Sequence, residues 1–345
     1  MSGRRLYLDE APGETRGVVT LDGLPERLLI ARLDDPPVQQ LGARLVARIA
    51  RIDRGLACVF LDVGAGPDAV LALSAAKGLA EGAAVEVQIT AEARDGKGAL
   101  AHLVGLADRP LRLLRAAPSL AERLEAFAPG ARLITGARAR EAAEVAEAAA
   151  LAVLHPLPGG GVIAIEPTRA VTAIDVDRGV GEGDAARAVR RINRAAIDHA
   201  ARLLRLKGLG GLIVIDLIGA GHDGPALAVA AKAAFAPDEP GVSIGPVSRF
   251  GLLQLAKPRL QTPVSERLCG PDGAPTPATI ALRCLRALER EGLADGGARL
   301  HARVAPAVLS AAKPYIMALE ASMGARFQIH ADAGAPGDGF EVSVA

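Results

Sequence analysis

Tryptophan is absent from this chain of 345 residues, and six phenylalanines and two tyrosines are its only aromatics. The cores must therefore be built from Ala, Leu, Val and Ile. Cysteine is scarce as well. Cys58, Cys269 and Cys284 have no CxxC spacing and no even pairing, which excludes a disulfide framework and points to a reducing compartment. No apolar run reaches 18 residues, and residues 1–10 hold no apolar leader core. The expectation is a cytoplasmic protein with no membrane span. Lysine is the fourth shortage: of 40 basic residues, 34 are Arg and 6 are Lys. An arginine excess suits bidentate phosphate recognition, and a codon bias toward Arg and Ala would produce it equally. With a net charge of +1, a nucleic-acid partner would need local basic faces rather than a basic whole.

Familiar catalytic signatures are missing too. Three glycines stand at 159–161, yet there is no GxxxxGK[ST] and no GxGxxG after a strand, which discounts nucleotide binding. His155, His199, His222, His301 and His330 lie far apart in sequence without HExxH, and no Ser or Cys stands in a nucleophile elbow.

Two aspartates are present where chemistry belongs. Residues 171–177 read VTAIDVD and residues 210–216 read GGLIVID, each a short β-branched run of the kind that forms a buried strand. Residues 183–206 between them are helical in period, with Val189, Ile192, Ala196, Ala200 and Leu203 on one face. Strand, helix, strand is a parallel crossover that sets its strands side by side. Neighbouring strands lie about 4.8 Å apart, so Asp175 and Asp216 could share one divalent cation. The competing reading is that each Asp caps a turn.

Residues 1–35 read as short strands. Four strand candidates at 45–52, 57–63, 69–73 and 84–90, punctuated by glycines, suggest a five-stranded OB-type barrel. Such barrels stack single-stranded bases on a surface aromatic beside a basic groove. Phe60 is the aromatic here, with Arg51, Arg54, Arg94 and Lys97 as phosphate partners; a core role for Phe60 is the alternative. Residues 107–130 read as helical and Arg-rich, with Arg109, Arg112 and Arg115 along one side of a helix. A helix follows at 137–154, then a hairpin whose second strand delivers Asp175. After Asp216 come Gly219, Gly221 and Gly224, a helix at 225–235 and a strand at 242–247. Arg249, Lys257 and Arg259 then surround an apolar stripe. A linker at 270–277 leads to a helix at 278–292 and a small α/β unit at 298–345.

The strings AIDVD at 173–177, RLKGLGGLIVIDLI at 205–218 and SRFGLLQL at 248–255, in this order and spacing, resemble the catalytic core of the ribonuclease E/G family. LACVFLDVG at 56–64 and EGAAVEVQIT at 81–90 resemble its RNA-binding barrel, and VAPAVL at 304–309 its small C-terminal domain. The resemblance implies a multidomain α/β (α+β) chain. An RNase H-like subdomain would take residues 1–38 and 107–160, and an OB-fold barrel 39–106. A DNase I-like catalytic domain at 161–268, a degenerate zinc-link linker at 269–277 and a small domain at 278–345 would follow. It implies a Mg²⁺-dependent endoribonuclease acting on single-stranded RNA, with one ion held by Asp175 and Asp216. Phe60, Lys97, Arg249, Lys257 and Arg259 would meet the RNA.

Four departures qualify this. Asp177 stands where the family has Asn, adding a charge at the catalytic group. Val70 replaces a second stacking aromatic. The segment that reads a 5′-monophosphate is almost wholly missing between about 107 and 130. The paired zinc-link cysteines are reduced to Cys269, with Asp272 in the other's place, so no zinc is expected. Homo-oligomers remain open, without a zinc link. An RNA-binding protein with an inactive nuclease site is the alternative.

Overall fold

The computed structural model describes residues 3–94, 96–178, 185–219, 223–238, 241–335, 337 and 339–344. Residues 183–184 of the predicted helix, Gly221 and His222 lie outside them.

The chain opens with three antiparallel strands, β1 (Arg4–Ala11), β2 (Glu14–Leu21) and β3 (Leu24–Arg32). A barrel follows from β4 (Arg44–Asp53), β5 (Cys58–Asp62), β6 (Ala69–Ala72), β7 (Ala84–Ala91) and β8 (Leu100–Leu106). Its order is β4-β5-β6-β8-β7, closed back onto β4, with β6 and β8 parallel. This closed five-stranded arrangement is consistent with an OB-type fold. Strict alternation builds it: Val59, Leu61, Leu71, Val85 and Val87 fill the interior, which leaves the residues between them facing outward.

The predicted helix over 107–130 is only partly present. Residues Arg112–Arg115 form a strand, β9, added to the edge of β4 beyond the barrel, and only Leu120–Phe127 is helical, as α1. Arginines three apart imitate a helical face, but unpaired backbone on β4 captures the segment, which Pro110 and Pro118 bracket. A short strand β10 (Leu133–Ile134) then returns to pair in parallel with β1. The chain on either side of the barrel thus forms one four-stranded sheet, backed by α2 (Ala137–Leu151).

Six strands make the next sheet: β11 (Leu154–Pro156), β12 (Val162–Pro167), β13 (Thr172–Asp177), β14 (Gly211–Asp216), β15 (Ser243–Val247) and β16 (Leu252–Lys257). Helix α3 (Ala185–Lys207) connects β13 to β14, and α4 (Gly224–Phe235) follows. Ile192, Ala196, Ala200 and Leu203 of α3 are buried against Ile163, Ile174, Ile213, Ile215 and Leu253 of the sheet. Beyond α5 (Val264–Leu268), the long α6 (Pro277–Ala294) supports a small unit. That unit holds β17 (Leu300–Val304), α7 (Pro306–Ala312), α8 (Ile316–Met323), β18 (Phe327–Ala331) and β19 (Phe340–Val344).

Buried charge ties the ends of the chain together. Arg16, 1% exposed, donates to Asp9 at 2.6 Å and to Glu147 at 3.0 Å. Glu147 also accepts from Arg283 at 2.7 Å, and Glu14 accepts from Arg286 at 2.6 Å. Strands β1 and β2 are thereby clamped to α2 and α6. Breaking one such pair typically costs about 3–5 kcal/mol, because the partner stays buried and charged. Among the described residues, no helix is long and apolar enough to cross a membrane.

Candidate functional site

Strands β13 and β14 run parallel, and their register pairs Asp175 directly with Asp216. The crossover through α3 therefore does what its pattern predicts. Ile174 and Val176, like Ile213 and Ile215, face the core, which sends Asp175, Asp177 and Asp216 to the opposite, open face. All three carboxylates are exposed. Asp175 has Ala164 on its other side and Asp216 has Leu252, so small and apolar neighbours flank the acidic pair. Asp175 lies within β13, and Asp216 is the last residue of β14. No group of three or more His, Cys, Asp or Glu among the described residues could hold a metal ion. Asp177 lies two residues further along the same face as Asp175.

Asn193 fixes the strand exit beside Asp216. This side chain is 1% exposed on α3; its Nδ2 donates to the Ile218 carbonyl at 3.0 Å and its Oδ1 accepts from the Ile218 N–H at 3.1 Å. Sequence reading missed it, although an Asn directly after Ile192 on the buried stripe is a detectable signal.

The turn at 248–251 approaches from β16. Ser248 Oγ accepts from the N–H groups of Phe250 and Leu252 at 3.3 and 3.2 Å. Gly251 sits at φ +83°, a conformation suited to glycine, and its carbonyl accepts from Leu217 N–H at 3.3 Å. Arg249 is exposed, with its guanidinium 4.6 Å from the centre of the Phe250 ring.

Lys257 and Arg259 go elsewhere, contrary to expectation. Lys257 pairs with Gly211 at the far end of β14, about 16 Å from Asp216 at the usual rise per residue. Its side chain is 12% exposed, with Nζ 3.5 Å from Asp238, in a cluster where Arg205 also binds Asp238 at 2.8 Å. Arg259 Nε donates to the Gly210 carbonyl at 2.9 Å. Strand direction explains both: the chain moves away from the carboxylates as it runs along β16.

On the barrel, Phe60 lies outside the core, between the fully buried Val59 and Leu61. Arg51 covers its ring at 4.3 Å, and Val70 is its direct cross-strand neighbour. Lys97 is exposed on a turn closed by backbone hydrogen bonds with Arg94 at 3.0 and 2.7 Å. Gly98 beside it is obligatory, since a Cβ there would lie 1.7 Å from the Asp68 carbonyl oxygen. Arg112 and Arg115 are exposed on β9 rather than aligned on a helix. Cys269 is half-buried, and burial raises its thiol pKa; Asp272 accepts from Ala274 N–H within the neighbouring turn. His301 and His330, distant in sequence, come together with ring centres 5.4 Å apart on the C-terminal sheet.

Comparison with known proteins agrees with the sheet. Residues 115–260 match the Ribonuclease E/G family. Ribonuclease E of Escherichia coli (strain K12) is 36% identical over 159 residues, covering 43% of this chain and 15% of that protein. Ribonuclease G of the same organism is 28% identical over 168 residues, 46% of this chain and 34% of that one. A chloroplastic ribonuclease E/G-like protein of Arabidopsis thaliana is 33% identical over 122 residues, 34% of this chain and 12% of its own. The chain thus covers about a third or less of the length of these relatives. The family match spans both aspartates and the 248–251 turn, whereas the barrel lies outside it. Residues 115–260 of this chain are thus similar to the ribonuclease E/G family.

Proposed function

We propose that the chain is an endoribonuclease that cleaves single-stranded RNA with Mg²⁺. The observation that carries this reading is the side-by-side register of Asp175 and Asp216 on an open sheet face, inside the family-matched segment. The donor set fits the ion: two exposed carboxylates offer hard oxygens and leave the remaining positions to water, as Mg²⁺ prefers. Bound there, Mg²⁺ supplies charge neutralisation at a phosphate and a more acidic water. The chain's own groups do the rest. Asp175 and Asp216 hold the ion, and Asn193 keeps the exit of β14 in place. Arg249 meets the phosphate backbone beside them. Phe60 offers a flat, cation-backed face on the barrel, and Lys97 a charge on a neighbouring turn. A stacking face needs an unpaired base, hence the preference for single strands.

Cleavage is indifferent to the 5′ phosphate state in this reading. A pocket for a terminal phosphate needs several donors converging on one anion. Arg112 and Arg115 are instead spread along an exposed edge strand.

The competing reading is an RNA-binding protein with an inactive nuclease site. Val70 beside Phe60 and the extra charge of Asp177 favour it. Incubating the purified chain with labelled single-stranded RNA, with Mg²⁺ or with EDTA, separates the two. Fragments that form only with Mg²⁺ support the enzyme; RNA that is bound and intact under both conditions supports the binder.

A further inference from the structure

Among the described residues, Phe250 is the one exposed phenylalanine or tyrosine. The residue is 71% exposed, while Phe235 and Tyr315 are buried and Tyr7, Phe60, Phe127, Phe327 and Phe340 are partly covered. Leaving a phenylalanine in water forgoes roughly 1.5–3 kcal/mol of burial, so its position calls for a reason. The backbone holds it there. Two hydrogen bonds to Ser248 Oγ, the Gly251 N–H to Ser248 carbonyl bond at 3.0 Å, and the left-handed Gly251 close a tight turn. The turn fixes where the side chain leaves the backbone. The turn is also tied to the carboxylate strand, because Gly251 accepts from Leu217, the residue after Asp216, and Leu252 pairs with Asp216 itself.

We propose that Phe250 is the platform of a nucleobase subsite beside Asp175 and Asp216, where an unpaired base of the substrate stacks while Arg249 holds an adjacent phosphate. The inference rests on the nuclease reading above and goes beyond it by naming where a base next to the reacting phosphate is held. Three features select this occupant. The ring is flat and the residue 71% exposed, which leaves it open to one flat group. The Arg249 guanidinium covers one face at 4.6 Å and leaves the other for a flat partner. The neighbouring carboxylates are those to which this reading assigns the cation and the phosphate. Every base has a π-face, so the subsite fixes position without dictating sequence.

The test uses the full chain in EDTA with single-stranded RNA carrying 2-aminopurine at successive positions. Of the positions quenched on binding, one should depend on Phe250, apart from any that Phe60 accounts for. Phe250→Ala should abolish that quench and weaken binding roughly 5- to 150-fold, the range for losing one stacked base, while Phe250→Trp should restore both. Removing the base at that position should weaken wild-type binding and leave Phe250→Ala binding unchanged. Because the side chain is exposed, the melting temperature of Phe250→Ala should match wild type, which separates a lost contact from a lost fold. If the RNA binds and Phe250→Ala changes neither quench nor affinity, the subsite is wrong and the nuclease reading stands. If wild type binds no single-stranded RNA, both fall.

Discussion

Replacing Asp175 or Asp216 by Asn should stop cleavage without harming the fold, and the structure sets the size of the effect. The two residues are register partners on adjacent parallel strands, so their carboxylates lie about 5 Å apart. Two like charges at that distance repel by about 0.8 kcal/mol in water and about 3 kcal/mol at an effective dielectric of 20. Both are exposed, so the lower figure applies. Asn keeps the volume and removes the repulsion. In EDTA each variant should therefore melt at the wild-type temperature or up to about 2 °C above it. Wild type should gain stability as Mg²⁺ is added, by mass action, and each variant should lose most of that gain together with its cleavage. RNA affinity in EDTA should hold or rise, because a charge that repels phosphate is gone. Thermal melts with and without Mg²⁺, run beside a gel cleavage assay, measure all of this. Near wild-type cleavage in either variant would refute the metal-site assignment. A drop of several degrees in EDTA would make the aspartates structural instead.

Binding to single-stranded RNA should weaken with salt by about −0.7 log units per log unit of salt for each phosphate contact, and Phe60→Ala should cost about 1–3 kcal/mol; a destabilised variant with unchanged affinity per folded molecule would assign Phe60 to the core. RNAs differing only in a 5′-monophosphate or 5′-triphosphate should be cut at equal rates, and a tenfold preference for the monophosphate would contradict the spread of Arg112 and Arg115 along β9. Burial, reinforced by the charge of Lys207, pushes the pKa of His155 down to about 4. The folded chain keeps this ring neutral while the unfolded chain takes up a proton near pH 6.5, so stability from this group is full above about 6.5 and lost as pH falls toward 4. His155→Gln should flatten that part of the melting-temperature profile, and an unchanged slope would argue against it.

The acidic pair was legible because its signal is local and periodic. Two β-branched runs joined by one amphipathic helix leave little choice but a parallel crossover, and the alternation within TAIDVD already assigns Asp175 and Asp177 to one face. The barrel was legible for the same reason, through runs such as CVFLD with inward and outward residues in turn, although its fifth strand, β8, was not among the strand candidates. What failed depends on contacts between distant segments. The segment at 112–115 carries helix-like arginine spacing, but an open edge on β4 decides its conformation. Lys257 and Arg259 read as surface charge because sequence does not say which end of β16 faces the carboxylates, nor that Asp238 waits at the other. Asn193 and Phe250 acquire meaning only once their neighbours are known.

The charge clamp between β2 and α6 also bears on how the molecule is made. Glu14 and Arg286 are 272 residues apart, and Arg16 and Glu147 are 131 apart. At roughly 5–20 residues per second of synthesis, Glu14 would be waiting for its α6 partner for about 15–55 s. During that interval Glu14 has Arg32 at 2.9 Å and Arg16 has Asp9 at 2.6 Å, so β2 has only part of its set of counterions. The Glu14–Arg286 link therefore forms only after the sheet that carries Asp175 and Asp216 has been synthesised. Ribosome-bound chains stalled before α6 should accordingly present β1 and β2 to a protease that the finished protein resists.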